Sequence, residues 1–291
     1  MNPRKLYSPL FLAPALILYT VLFILPSLTG FGFSFTNWNI NRQSIRFIGL
    51  DNYREVLFSS GPYLVSIMHT FSFAAVTVVL KTVIGLVLAL LLNEEFRSKN
   101  QLRTLFFVPY TLSPLIIGIV FVAVLAPEGP MNAILQLLGL GQWTHAWLAE
   151  SGTALFSTMG VEIWRMTGWN MVVFLAGLQM IPKEYYEAAS MDGATPWKKF
   201  KEITVTFLMP SINITLVLNI IQGIKVFDII YALTGGGPGQ LTEVINTQVF
   251  REFSDGRYGM SNALSVIVTV FTLAVALVMK NTLTGRQEDS Q

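Results

Sequence analysis

From Leu10 to Phe35 the chain reads LFLAPALILYTVLFILPSLTGFGFSF, twenty-six residues without one charged side chain. A helix rising about 1.5 Å per residue needs roughly 20 apolar residues to cross a bilayer core of ~30 Å, and a helix satisfies its own backbone there without help from water. This run therefore reads as a transmembrane helix. It follows the basic pair Arg4-Lys5, as a secretory signal would, but it is far longer than the apolar region of about 7 to 15 residues in such signals, so it is expected to be retained. Pro14 and Pro26 inside it are expected to kink it.

The rest of the chain agrees with that reading. Across 291 residues, 53% are hydrophobic and 12% charged, with a mean hydropathy of +0.56, whereas soluble domains carry about 25% charged residues. A disordered polymer, a nucleic-acid-binding module and a disulfide scaffold are excluded by the apolar content, the net charge of +2 and the absence of cysteine. Two histidines, His69 and His145, are too few and too far apart for a His-rich metal centre, and both read as interfacial or polar-cap residues. A membrane enzyme would need an activated nucleophile or paired acids at one site, and no such pattern is visible.

Six stretches have the length of a span: about Leu10–Phe35, Ile67–Leu92, Leu105–Leu125, Leu155–Met180, Ser211–Tyr231 and Ala263–Val278. Cytoplasmic segments retain Lys and Arg. Placing both termini inside gives eleven basic residues in the inside segments (Arg4, Lys5, Arg97, Lys99, Arg103, Lys183, Lys198, Lys199, Lys201, Lys280, Arg286). Five fall outside: Arg42, Arg46, Arg54, Arg251 and Arg257. The expected fold is an all-α integral membrane protein with six transmembrane helices and cytoplasmic termini.

Outside, residues 36–62 are polar and aromatic and could form a small cap. Met131–Leu138 suits a short interfacial helix, and Trp143 and Trp147 read as anchors at headgroup level. Inside, residues 181–210 form the longest polar stretch. Pro182 suits a helix start, Gly193 the left-handed residue that ends it, and Thr195-Pro196 the cap and first turn of the next helix. Such a helix fits either insertion into a groove on a partner or a solvated linker between spans.

Ionisable residues in spans mark a pathway or a pair. Glu162 and Arg165 are three apart on the fourth span, and Lys225 and Asp228 three apart on the fifth, so each pair is expected to share a helical face. With Trp169, Asn219 and Gln222 they are candidates for a polar solute path, the alternative being neutralisation that holds the bundle together. Lys81, without a local partner, is expected to reach a carboxylate on a neighbouring helix.

The run Glu187-Ala188-Ala189-Ser190-Met191-Asp192-Gly193-Ala194, followed by Trp197, Phe200, Ile203 and Pro210, resembles the EAA loop of permease subunits in binding-protein-dependent ABC importers. Phe47–Tyr53, Phe174–Gln179 with Ile181-Pro182, Phe227-Asp228 and Thr234–Gly239 resemble the carbohydrate branch of that family. The family's Leu-Pro pair after the isoleucine is replaced by Val205-Thr206, which allows the following helix to run on. The resemblance implies a MetI-like permease core over residues 67–283, preceded by a helix and extracytoplasmic loop over 1–66 and followed by a tail over 284–291. It also implies a multi-pass protein of the cytoplasmic membrane, with a second permease subunit, two ATPase subunits and an extracellular solute-binding protein as partners and no nucleic acid. Glu187, Ala188, Ala189, Asp192 and Gly193 would form the ATPase-coupling loop. No GxxxxGK[ST] phosphate loop occurs here, so no cofactor is expected in this chain, ATP and Mg belonging to the partner ATPase. The alternative is an ion-coupled secondary transporter using the buried Glu and Asp residues.

Overall fold

A computed structural model describes residues 9–41, 44–59 and 61–288. Arg4, Lys5 and Arg42, the side chains of Lys280 and Arg286, and the chain ends assigned to the cytoplasm lie outside the described residues. Among those described, the structure is helical and has no strand, its one sheet-like feature being an antiparallel bridge between Thr36 and Phe47. The helices are α1 Ala13–Phe33, α2 Asp51–Phe58, α3 Pro62–Asn93, α4 Lys99–Thr111, α5 Pro114–Val124, α6 Pro130–Leu137, α7 Ala154–Gln179, α8 Lys183–Met191, α9 Pro196–Ile224, α10 Asp228–Thr234, α11 Ile245–Ser254 and α12 Tyr258–Glu288. Two compact units emerge, Met1–Leu64 with Gln248–Val270, and Val65–Thr247 with Phe271–Gln291.

Four helices, α1, α3, α9 and the Tyr258–Met279 part of α12, are long and apolar enough to cross a membrane, and α4 with α5 would make a fifth as a broken span. The expected third span, Leu105–Leu125, is thus no straight helix: α4 and α5 meet at 98°. Pro114 drives Ser113 out of the helical region, to ψ 135°, and the Ser113 hydroxyl then caps α5 by accepting from Leu115 N–H at 3.3 Å. The expected fourth span coincides with α7, a helix of 26 residues that carries Glu162 and Arg165 and is not among the helices apolar enough to cross a membrane. The expected fifth span starts earlier and stops sooner. It belongs to α9, which ends at Ile224, and the chain turns through Lys225–Phe227 before α10 begins.

In the first unit, Pro14 does not kink α1. It sits in the first turn, where its missing N–H is not needed. Ahead of Pro26 the helix widens over Thr20–Ile24, where Leu25 N–H reaches back to Thr20 O. The cap after α1 is clamped on both sides. Asn37 N–H donates to Arg46 O at 3.1 Å and Ile48 N–H to Phe35 O at 2.9 Å, while Ile40 N–H and Gly259 N–H pair with Gly256 O and Trp38 O at 2.9 Å each. Trp38 packs between Phe33 and Tyr258, with ring centroids 4.3 and 4.9 Å away. Below it, the fully buried Glu252 carboxylate accepts from Tyr63 at 3.0 Å, Gln248 at 3.1 Å and Arg257 at 2.8 Å. Burial pushes the Glu252 carboxyl above the usual carboxylate range, with Arg257 pulling the other way.

In the second unit, α3, α7 and α9 share a core of Ala89, Leu92, Phe174, Leu178 and Leu208, and a second cluster joins Phe73, Ile117, Val161, Ile230 and Leu233. Helices approach closely where small residues let them, since between membrane helices packing replaces the hydrophobic drive. Gly168 is the tightest case: a Cβ there would collide with the Phe106 carbonyl oxygen of α4. The loop around α6 is organised by buried Asn132, which donates to Pro127 O and His145 O at 3.0 and 2.8 Å and accepts from Trp147 Nε1 at 2.7 Å. Trp147 thus braces the loop, while Trp143 is exposed as an anchor would be. His69 contacts Glu243 O at 3.1 Å, and His145 contacts Glu150 at 2.8 Å. Ala146 N–H, and then His145, hold the exposed Glu150 carboxyl below its usual range. Gly168→Val is expected to destabilise the protein by about 1–3 kcal/mol or more, as overpacking does; thermal melting of the purified protein in detergent would show a lowered midpoint, whereas Gly160→Ala, in open space on the same helix, would leave it unchanged.

Candidate functional site

Two places bring the sequence's candidate residues together. The first is the segment after α7. Pro182 stands at the N-cap of α8 with ψ 136°, and the helix runs to Met191. Gly193 takes φ +73°, a left-handed conformation that a side chain disfavours, and Ala194 N–H bonds back to Ala189 O at 2.9 Å. Thr195 then caps α9 by accepting from Lys198 N–H at 3.3 Å, with Pro196 in the first turn. Internal contacts hold one side of this elbow: Tyr186 OH lies 2.9 Å from Thr204 Oγ1, and Lys199 Nζ donates to Ser190 Oγ at 2.6 Å. The other side is bare. Glu187, Ala188, Asp192 and Gly193 are exposed, Ala189 is half-buried, and neither Glu187 nor Asp192 has an ion pair among the described residues. Tyr185, Met191 and Trp197 are also exposed, by 51%, 89% and 71%, which is a large apolar outlay for an isolated polar loop.

The second place is a cavity of about 290 Å³ in the second unit, lined by Tyr110, Glu162, Arg165, Gln222, Lys225, Phe227 and Asp228 among others. Five of the seven residues proposed for a solute path meet here. Lys225 and Asp228 do not share a helical face as their spacing suggested, because Lys225 caps the end of α9, Phe227 is extended at φ −147°, and Asp228 opens α10. The break leaves both side chains exposed, with no ion pair between them within 4.0 Å. Asn219 is elsewhere: fully buried, it donates to Asn170 Oδ1 at 2.7 Å and Thr82 Oγ1 at 3.3 Å, tying α9 to α7 and α3. Trp169 stands behind Tyr110, with ring centroids 6.4 Å apart. Tyr110 escaped the sequence reading, and Phe227 entered it only through the family resemblance and not as a residue of the solute path. Their signal was position, since each is within three residues of a helix break.

Glu162 anchors the wall. Its Oε2 accepts from Arg165 Nη2 at 2.9 Å and Nε at 3.1 Å, and its Oε1 lies 3.6 Å from Lys81 Nζ, which is fully buried on α3. Lys81 therefore reaches a carboxylate on a neighbouring helix, and the pairing half of the two readings for Glu162 and Arg165 is present. Arg165 nevertheless keeps 15% of its side chain open to the cavity. The arrangement offers cations, a free carboxylate, an amide and two aromatic rings around one space, a set suited to hydroxyl-rich solutes.

Residues 81–284 match the family described as binding-protein-dependent transport system inner membrane component. The chain is 35% identical over 270 residues, 92% of its length and 90% of the relative's, to the trehalose/maltose transport system permease protein MalF of Thermococcus litoralis. It is 33% identical to a probable ABC transporter permease protein, YurN, of Bacillus subtilis, over 99% of this chain and 100% of that one. It is 32% identical to the sn-glycerol-3-phosphate transport system permease protein UgpA of Agrobacterium fabrum, over 94% and 93%. Among solved structures, a chain of a bacterial ABC transporter that imports the acidic polysaccharide alginate superposes with a TM-score of 0.82 at 24% identity, covering 94% of this chain and 93% of that one.

Removing the shared anion should cost more than removing either cation. Glu162→Leu leaves Lys81 and Arg165 buried without a counter-charge and is expected to destabilise by about 3–5 kcal/mol, whereas Lys81→Met, which leaves the Arg165 pair intact, costs less. Melting curves of the two variants in the same detergent would reveal the order.

Proposed function

Since the chain belongs to the family of binding-protein-dependent transport system inner membrane components, we propose that it is the membrane-spanning permease subunit of a carbohydrate ABC importer, crossing the cytoplasmic membrane six times with both termini inside. A solute delivered by an extracellular binding protein passes the polar cavity, and a second permease and two ATPase subunits, which hold ATP and Mg, complete the machine. Transport is not catalysed by this chain in the enzymatic sense. It alternates between outward- and inward-facing states, and nucleotide-driven closure of the ATPases biases that equilibrium through the loop they grip.

The observation that carries this reading is the bare face of the α8 elbow. A helix ended by a left-handed glycine, braced from behind and presenting Glu187, Asp192, Met191 and Trp197 outward, is a docking element rather than a linker. Its basic neighbours Lys183, Lys198 and Lys201 support the cytoplasmic side. A sugar as cargo is supported by the trehalose/maltose and alginate systems among the similar proteins and by the hydroxyl-matching groups of the cavity. In that cavity Gln222, Lys225 and Asp228 meet the solute, Arg165 shares itself between Glu162 and the solute, and Trp169 backs the Tyr110 ring. Asn219 keeps the wall in register. An ion-coupled mechanism is less well supported, because the Glu162 carboxylate is already committed to Arg165 and Lys81.

Affinity purification of the tagged chain from its native membrane in mild detergent is expected to bring down an ATPase and a second permease. Glu187→Lys and Gly193→Asp should each release the ATPase and abolish uptake while the protein stays in the membrane at wild-type level. A chain that purifies alone, or normal uptake by both variants, would overturn the proposal. Lys225→Ala should raise the solute concentration for half-maximal uptake without weakening ATPase capture.

A further inference from the structure

The cap of the first unit encloses a cleft of about 250 Å³, separate in sequence from every residue of the solute path and lined by Asn37, Trp38, Asn39, Glu55 and Arg257, with Tyr63 at its edge. Its framework is rigid. The Phe35–Ile40 segment is hydrogen-bonded to Arg46 and Ile48 on one side and to Gly256 and Gly259 on the other, and Asn52 Nδ2 holds Ser34 O and Thr36 O at 2.8 and 2.9 Å. Its hydrogen-bonding groups are largely unspent. Asn37 and Asn39 use their amide oxygens on Arg46 N–H and Asn41 N–H, at 2.8 Å each, which leaves both NH₂ groups available. The Trp38 indole N–H and the exposed Glu55 carboxylate have no partner among the described residues. Arg257, by contrast, is committed to Glu252 and Asp255.

An indole N–H and planar amide donors beside a carboxylate acceptor, held in place before any ligand arrives, match the hydroxyls of a pyranose, which bridge donors and acceptor, while Phe33 and Tyr258 hold the Trp38 ring in position. The cleft's one guanidinium is already neutralised and Glu55 adds a free negative charge, so an anionic sugar would be repelled. We propose that this cap cleft is a second saccharide-binding site, selective for neutral sugars, on the extracytoplasmic side of the permease. The placement outside the membrane rests on the importer reading; the binding itself does not.

The test is saturation-transfer difference NMR on the full chain in lipid nanodiscs with maltose, trehalose and maltotriose as probes, and sn-glycerol 3-phosphate as the anionic comparison. The neutral sugars should receive saturation and the phosphate should not. A doubly altered Lys225→Ala/Asp228→Ala chain, changed only in the membrane cavity, should retain the signal. Added to that chain, Glu55→Ala should weaken it about tenfold or more, the scale of one hydrogen bond to a charged group, and Trp38→Leu should abolish it. Because Glu55 is exposed and unpaired, its loss cannot act by unfolding the cap. No transfer to any neutral sugar, loss of the signal in the Lys225→Ala/Asp228→Ala chain, equal transfer to the phosphate in that chain, or an unchanged signal when Glu55→Ala is added to it would each overturn the proposal. Failure of the importer reading would appear independently, as a chain that captures no ATPase.

Discussion

Hydrocarbon offers a peptide group no hydrogen bond, and the rest of this structure follows from that refusal. Backbone in a bilayer stays helical unless protein or trapped water satisfies what a break exposes. Every departure from helix in the second unit is therefore a place where something else must be present. The Leu112–Ser113 bend is answered by the Ser113 hydroxyl and a proline that needs no partner. The Lys225–Phe227 turn is answered by a cavity edged with polar side chains, and Asn246 Nδ2 reaches Val226 O at 3.3 Å. Breaks and polar lining coincide because neither is tolerable alone.

Charge obeys a similar rule. A fully buried Lys81 is costly anywhere and more so in a membrane, and it persists here because Glu162 stands 3.6 Å away. Arg165 is then the variable member, able to face the cavity without leaving the carboxylate uncompensated, since Lys81 remains. Three residues from two helices thus act as one group, with the fixed cation behind and the adjustable one in front.

Much of this was legible in the chain itself. Apolar run length gave the helices, Gly193 and Thr195-Pro196 gave the elbow to the residue, and Lys81 announced a partner it could not name. The misreadings share a cause. Hydropathy averages over a window and does not register where the backbone leaves the helix, so Ser113-Pro114 and Lys225–Phe227 were absorbed into spans that the structure divides. Helical spacing then placed Lys225 and Asp228 on one face, and it carried Asn219 into the path although Asn219 is fully buried and its NH₂ group is spent on Asn170 and Thr82. Which polar side chain faces a neighbour and which faces a cavity is a property of packing, and no single sequence contains it.

The replacement of Leu-Pro by Val205-Thr206 has a mechanical side. With no proline at that pair, α9 runs from Pro196 to Ile224, widened over Phe200–Thr204 and carrying Pro210 within it, so Trp197 at the elbow and Gln222 at the cavity belong to one helix. At about 1.5 Å per residue they are roughly 38 Å apart along its axis, and a tilt of about 5° about one end sweeps the other through about 3 Å. That is the breadth of a hydroxyl group. A tilt of this helix would move the elbow and the cavity wall together, and the widened turn and Pro210 are the two places at which part of that motion would be absorbed.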